Sequence, residues 1–215
     1  MRVLVADDQP AVRAGLVLIL RSAAGIDVVG EAGDGAAAVE LALRLRPDVV
    51  LMDLRMPRLD GVAATRELVG GGVRGVLALT TFDVDEYLFG ALRAGAAGFL
   101  LKDASADELI DAVRAVARGD GVVAPAVMRR VLAAFSGPIA GPQGAPPPGP
   151  VPLGVLTARE RDVLACLGEG LSNAAIAARL GIAEATTKTH VSRILAKLGL
   201  QSRMQAAIAA RALDM

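Results

Sequence analysis

Five short apolar runs, each followed by a segment of helical spacing, constrain this chain more than any other feature. The runs lie at residues 3–6, 26–30, 48–52, 76–79 and 98–101. Between them, segments beginning near Pro10, Gly35, Gly61, Val84 and Ser105 repeat apolar residues every three or four positions, as in Val12, Leu16, Ile19 and Leu20. Strands alternating with helices predict βαβ units, and strands that are apolar throughout predict a parallel sheet covered on both faces. Ser105 with Glu108 forms a capping box for the last of these helices, and Gly119 closes it.

The alternation then stops. Residues 136–154 are dense in proline and glycine, offer few backbone donors and have little to bury, so they read as a linker partly extended by its prolines. A short helix at about 125–135 is expected to lead into it. Beyond residue 154 there is no strand signal. Thr157 with Glu160 is a second capping box, and helices are expected at about 158–167, 173–180, 183–198 and 203–213, punctuated by Gly168, Gly170, Gly181 and Gly199. With 215 residues, each of two modest domains can bury its own core. Formal net charge is zero, yet it is unevenly spread: residues 1–152 hold 15 basic and 18 acidic side chains, and residues 153–215 hold 8 and 5. The C-terminal part is the mildly basic one.

Ligands of an open parallel sheet bind beyond the carboxyl ends of its strands. At those ends stand Asp7 and Asp8 after the first strand, Asp53 after the third, Thr80 and Thr81 after the fourth, and Lys102 after the fifth. Three carboxylates in one pocket repel unless a cation balances them, and Mg²⁺ accepts such an oxygen set. A pocket of this kind suits phosphoryl transfer. The metal and Lys102 offset charge, Thr80 donates a hydroxyl hydrogen bond, and Asp53, at the end of the central apolar strand, is the expected nucleophile, with Asp7 and Asp8 as metal ligands. Each residue alone is ordinary, since paired acids after a strand usually cap a helix. Their joint placement at four strand ends is what points to a site.

Several classes are excluded. One cysteine, Cys166, cannot form an internal disulfide, and with the single histidine, His190, it cannot supply a zinc site or a Cys-His pair. Although 53% of residues are hydrophobic and mean hydropathy is +0.50, alanine supplies much of this, and no run approaches the roughly 18 apolar residues of a membrane span. Acids at positions 7 and 8 interrupt any signal-peptide pattern. A soluble, cytoplasmic protein with no membrane partner is expected, with Cys166 in a core.

In the C-terminal part, Ala177, Gly181 and Ile182 give the small residue, turn glycine and apolar anchor of a helix-turn-helix. Its second helix has an apolar stripe of Val191, Ile194, Leu195 and Leu198, with Thr187 at the edge. Its other face presents Lys188, Thr189, Ser192, Arg193 and Lys197, side chains able to reach phosphates or base edges in a major groove.

Residues 1–118 resemble a response-regulator receiver domain in Asp7-Asp8, Asp53 followed by Met56-Pro57 and Asp60-Gly61, Thr80, and Phe99 with Lys102. The C-terminal part resembles a LuxR-type domain in Leu156 to Glu160, Asn173 to Gly181, Thr187 to Val191 and Ala196 to Leu200, so the whole chain is similar to NarL/FixJ-type regulators. The departures are Asp103 where many receivers have proline, Phe99 in place of tyrosine, and Thr187 in place of valine. The resemblance implies an α/β, flavodoxin-like doubly wound five-stranded parallel sheet at 1–118, a helix and linker at 119–154, and a smaller all-α helix-turn-helix domain at 155–215. It also implies a sensor histidine kinase as phosphoryl donor to Asp53, the Arg55 backbone carbonyl as a further Mg²⁺ ligand, Thr80 and Lys102 on the phosphate, and Phe99 as a switch aromatic. Bases of promoter DNA would be read by Lys188, Thr189 and Ser192, by a homodimer formed on activation. Two other readings stay open. An aspartate-nucleophile phosphatase would use the same acids, although it wants a second acid where Arg55 stands, and a regulator could bind DNA without phosphorylation.

Overall fold

The structure, a computed structural model, describes residues 1–80, 85–123 and 153–212, and the chain divides into two compact units, Met1–Ala124 and Pro125–Met215. The first unit alternates β1 (Arg2–Ala6), α1 (Pro10–Ser22), β2 (Asp27–Ala32), α2 (Gly35–Leu45), β3 (Val49–Asp53), α3 (Gly61–Gly70), β4 (Val76–Thr80), α4 (Asp85–Ala94), β5 (Gly98–Leu101), α5 (Ala106–Ala117) and β6 (Val122–Val123). All pairings are parallel, in the order β2-β1-β3-β4-β5-β6. The five expected strands are present. The sequence reading missed β6, which adds two residues at the edge beside Gly98 and Phe99 and makes the sheet six-stranded. Two residues are too short a run to show a period. The expected helix at 125–135, the linker and Thr81 lie outside the described residues.

Why the strands are apolar throughout is visible in the two layers. Alternate residues of a strand face opposite sides of the sheet. Val3, Val5, Leu51, Leu77 and Leu79 pack with Val17, Leu20, Leu109 and Val113 under α1 and α5. Leu4, Ala6, Val50, Met52 and Val76 pack with Ala38, Ala42, Ala64 and Leu68 under α2 and α3. Neither set of strand residues is left to face water, and each large side chain so buried contributes roughly 1.5–3 kcal/mol.

Helix starts follow from side-chain caps. The Asp34 carboxylate accepts from the Ala37 N–H at 3.0 Å, Asp60 does the same for Ala63 at 2.8 Å, and Ser105 with Glu108 completes the capping box expected there. Pro10 opens α1, where a missing N–H costs nothing. These caps set the helix N-termini beside the strand ends on which Asp7, Asp53 and Lys102 stand.

After a 3₁₀ turn, Leu153–Val155, the second unit contains α6 (Ala158–Gly168), α7 (Asn173–Leu180), α8 (Glu184–Leu198) and α9 (Arg203–Ala212). Gly181, at φ 65°, ends α7, and the Ile182 N–H bonds back to the Ala177 carbonyl at 3.0 Å, giving the tight turn of the motif. Leu156, Val163, Leu164, Cys166, Leu167, Ile176, Val191 and Ile194 form its core. Thr187 is fully buried rather than at the edge of the α8 stripe. Its hydroxyl is satisfied by the Ala183 carbonyl at 3.4 Å, a local bond that the residue type alone does not announce.

The turn after Asp53 is the tightest point of the first unit. A Cβ on Gly61 would lie 2.0 Å from the Asp53 carbonyl oxygen, whereas one on Gly15, exposed on α1, would meet nothing within 4 Å. Gly61→Ala is therefore expected to destabilise the first unit by about 1–3 kcal/mol, and Gly15→Ala to stabilise it by about 0.5–1 kcal/mol. Urea unfolding of the two variants, followed by circular dichroism, checks both signs.

Candidate phosphoryl-acceptor site and nucleic-acid interface

Three carboxylates meet where β1 and β3 end. Asp7, Asp8 and Asp53 each offer an oxygen, and these oxygens lie within 4.8 Å of one another. Asp7 and Asp53 are buried and Asp8 is exposed. The strand pairing places them, since Ala6 sits opposite Met52 in the β1–β3 register and both chains turn away immediately beyond.

Lys102, at the end of β5, reaches across and binds both buried acids, with Nζ 2.9 Å from Asp7 Oδ2 and 2.8 Å from Asp53 Oδ2. Burial pushes the Asp53 carboxyl above its ordinary pKa, against the hydrogen bond and charge of Lys102 and the Arg55 N–H, which donates to Oδ1 at 3.3 Å. Burial acts on Lys102 in the opposite sense, but its hydrogen bonds to Asp53 and Asp7 and their charges hold it above the usual lysine value. The ammonium is thus fixed as a cation.

Around Asp53 opens a small cavity of about 100 Å³, lined also by Gln9, Arg55, Thr80, Tyr87 and Lys102. Thr80 is buried at the end of β4, as its place in the strand requires. Phe99, opposite Ala78 in the β4–β5 register, is 1% exposed, so its ring is already inside. Sequence reasoning missed Gln9 and Tyr87. The signal for Gln9 is local, because its N–H donates to Asp7 Oδ1 at 2.9 Å in an Asx turn just before Pro10. Tyr87 lies on α4, whose approach to Asp53 no sequence pattern encodes. Also missed was the ion pair between Arg58 and the nearly buried Asp34, which ties the loop after Asp53 to the start of α2. Arg58 sits at φ 67°, an uncommon conformation for a non-glycine residue.

The donor set fits a hard divalent cation. All three side chains are carboxylates, and two of them are buried together beside a single ammonium. The pocket places a carboxylate, a hydroxyl and an ammonium around one small space, a set of groups suited to accepting a phosphoryl group.

On α8, Lys188, Thr189, Ser192 and Arg193 share one exposed face. Lys188 pairs with Glu184 one turn back at 3.1 Å, and the Thr189 hydroxyl donates to the Ala185 carbonyl at 3.0 Å. Lys197 is drawn elsewhere. Its ammonium lies 2.6 Å from the buried Glu160 carboxylate, which also accepts from the Thr157 N–H and hydroxyl. His190 is half-buried, and among the described residues its Nδ1 has no hydrogen-bond partner.

An acidic pocket at the carboxyl ends of a doubly wound sheet, with a lysine across it, defines a receiver domain, and known proteins agree. Residues 3–114 match the response regulator receiver domain, and residues 154–210 match the bacterial regulatory proteins of the luxR family. The transcriptional regulatory protein YxjL of Bacillus subtilis is 41% identical over 213 residues, covering 97% of this chain and 94% of that protein. The nitrate/nitrite response regulator NarP of Escherichia coli is 40% identical, covering 96% and 93%. The crystal structure of the response regulator ChrA of a heme-sensing two-component system superposes with a TM-score of 0.55 at 41% identity, covering 99% of this chain and 97% of that one. The chain belongs to the NarL/FixJ-type response regulators, transcriptional regulators that join a receiver to a LuxR-type DNA-binding domain. Among the described residues no helix is long and apolar enough to cross a membrane.

The Lys197 ammonium first, with the Thr157 N–H, holds the Glu160 carboxyl down to about 2 from 4.5. A depressed folded value means the interaction stabilises the second unit in full above about pH 4.5 and is lost as pH falls toward 2. Protection of the α8 amides, taken relative to the intrinsic exchange rate at each pH, is expected to fall across that window in the wild type. In Lys197→Met, protection should already be lower at pH 7 and change less on acidification.

Proposed function

We propose that this protein is a transcription factor whose DNA binding is switched by phosphorylation of Asp53, and that it works in the cytoplasm without being an enzyme in its own right. The observation that carries this reading is the gathering of Asp7, Asp8 and Asp53 oxygens within 4.8 Å, with Lys102 Nζ 2.8 Å from Asp53. Asp7, Asp8, Asp53 and the Arg55 backbone carbonyl would hold Mg²⁺, which when bound offsets the charge of the incoming phosphoryl oxygens.

The chain's own groups do the rest. An Asp53 carboxylate oxygen attacks the phosphorus of a phosphohistidine on a sensor histidine kinase, the P–N bond breaks, and its electrons leave with the imidazole. Lys102, kept cationic by its two acid partners, compensates the new charge. The Thr80 hydroxyl donates to a phosphoryl oxygen, and Phe99, packed inside, fills the space behind it. The altered surface of α4, β5 and α5 favours a homodimer, and two helix-turn-helix units then meet two half-sites of promoter DNA. Linkage raises affinity by effective concentration without new base contacts. On each half-site Lys188, Thr189 and Ser192 face bases, Arg193 faces phosphate, and Lys197 stays with Glu160. In domain terms the proposal sets a receiver at 1–118 and a reading domain at 155–215, joined through 119–154, whose first residues carry β6.

Incubation with acetyl phosphate and Mg²⁺ is expected to add one phosphoryl group to the wild type by intact mass and none to Asp53→Ala, and to raise the apparent affinity for the protein's own upstream DNA only in the wild type. Equal labelling of the two proteins would remove Asp53 from its role. On random duplex DNA, removing one cation that neutralises a phosphate lowers the slope of log affinity against log salt by about 0.9. Arg193→Ala should show such a decrease, and Lys197→Gln should leave the slope where it was.

A further inference from the structure

Arg55 is tied to the acceptor at its backbone and rests on an aromatic ring at its tip. Its N–H donates to Asp53 Oδ1 at 3.3 Å, and its exposed guanidinium lies over the Tyr87 ring, 5.7 Å from the centroid. Both side chains line the cavity that holds the Asp53 carboxylate. Among the described residues Arg55 has no carboxylate partner. The other cation of the cavity, Lys102, is already shared between two acids at 2.9 and 2.8 Å.

We propose that Arg55 reports phosphoryl occupancy of Asp53 to α4: its guanidinium rests on the Tyr87 ring while Asp53 is unmodified, and leaves the ring for the phosphoryl oxygens once they arrive. The inference rests on Asp53 being the acceptor. Its logic is a competition for one cation. A guanidinium over a partly exposed ring gains only a weak cation–π attraction, whereas two parallel N–H donors against a dianionic group at the mouth of a half-closed pocket gain much more. Lys102 compensates part of the new charge while its ammonium also answers Asp7, and a guanidinium at the rim of the pocket adds to it.

Departure of the guanidinium uncovers the half-buried Tyr87 ring, and Tyr87 belongs to α4. Within the first unit the chief helical neighbour of α4 is α3, met through Gly90, where a Cβ would come within 3.1 Å of Val62. Leu88, Ala91 and Leu92 keep the buried face of α4 in place, so the change falls on the exposed side of its first turn. This route to α4 runs over the rim of the pocket, separate from Thr80 and Phe99 beneath it.

The sequence supplies its own reporter, since Tyr87 is the single tyrosine and there is no tryptophan. The full-length chain is loaded with acetyl phosphate and Mg²⁺, or with beryllofluoride, and tyrosine emission is compared between wild type and Arg55→Ala at equal occupancy, measured for the phosphorylated samples by intact mass. Arg55→Gln, which keeps the stem and lacks the charge, gives the same comparison if the shorter variant loads poorly. Wild-type emission is expected to shift on loading. The variants are expected to lose that shift, and to emit before loading as the loaded wild type does. A loaded wild type with unchanged emission, or a variant that retains the full shift, overturns the proposal. A wild type that takes up no phosphoryl group by mass instead removes the acceptor role of Asp53, on which the proposal depends.

Discussion

Everything in the first unit is arranged around a repulsion that one ammonium holds in check. Asp7 and Asp53 are buried acids from neighbouring strands, and Lys102 from a third strand end sits within 2.9 Å of both. Removing charge from water is expensive, and burial does push Asp53 toward its neutral form. The lysine is what keeps a pair of buried carboxylates tolerable in one pocket. A site that is balanced but not satisfied is poised to accept more ligands, and the dry, two-layer sheet beneath it supplies the rigidity that keeps the balance from collapsing.

The same chain shows what a sequence discloses and what it withholds. Strands β1, β3, β4 and β5 were legible because a sheet covered on both sides leaves no polar alternation, and Ser105 and Thr157 disclosed their helices because capping boxes are local chemistry. Asp7, Asp53, Thr80 and Lys102 were legible for a related reason: each ends a strand, and strand ends of a parallel sheet converge. β6 was hidden because two residues carry no period. The burial of Thr187 was misread because a hydroxyl looks polar until its bond to the Ala183 carbonyl is seen. Lys197 reads as one more cation on an exposed helix face, since nothing between residues 160 and 197 advertises that Glu160 waits for it. Tyr87 belongs to the same class, being brought to Asp53 by the placement of α4 alone.

The two halves solve different problems with the same few devices. In the first, glycine at position 61 lets the chain turn back against the Asp53 carbonyl, so the loop after Asp53 is pinned by a side chain that is not there. In the second, Gly181 in the left-handed conformation sets the angle between α7 and α8, and the apolar anchors Ile176, Val191 and Ile194 fix it. Catalytic-type precision and docking precision both derive from backbone geometry first and side chains second.

Glu160 gives the second unit a mechanical property as well. One carboxylate accepts from the Thr157 backbone, where the chain enters its first long helix, and from Lys197, in the last turn of α8. The entry point of the domain and the far end of its reading helix therefore share a single rivet. Because Leu156, the residue just before Thr157, is itself buried in the core, the chain enters this domain anchored twice within two residues, once by packing and once by charge.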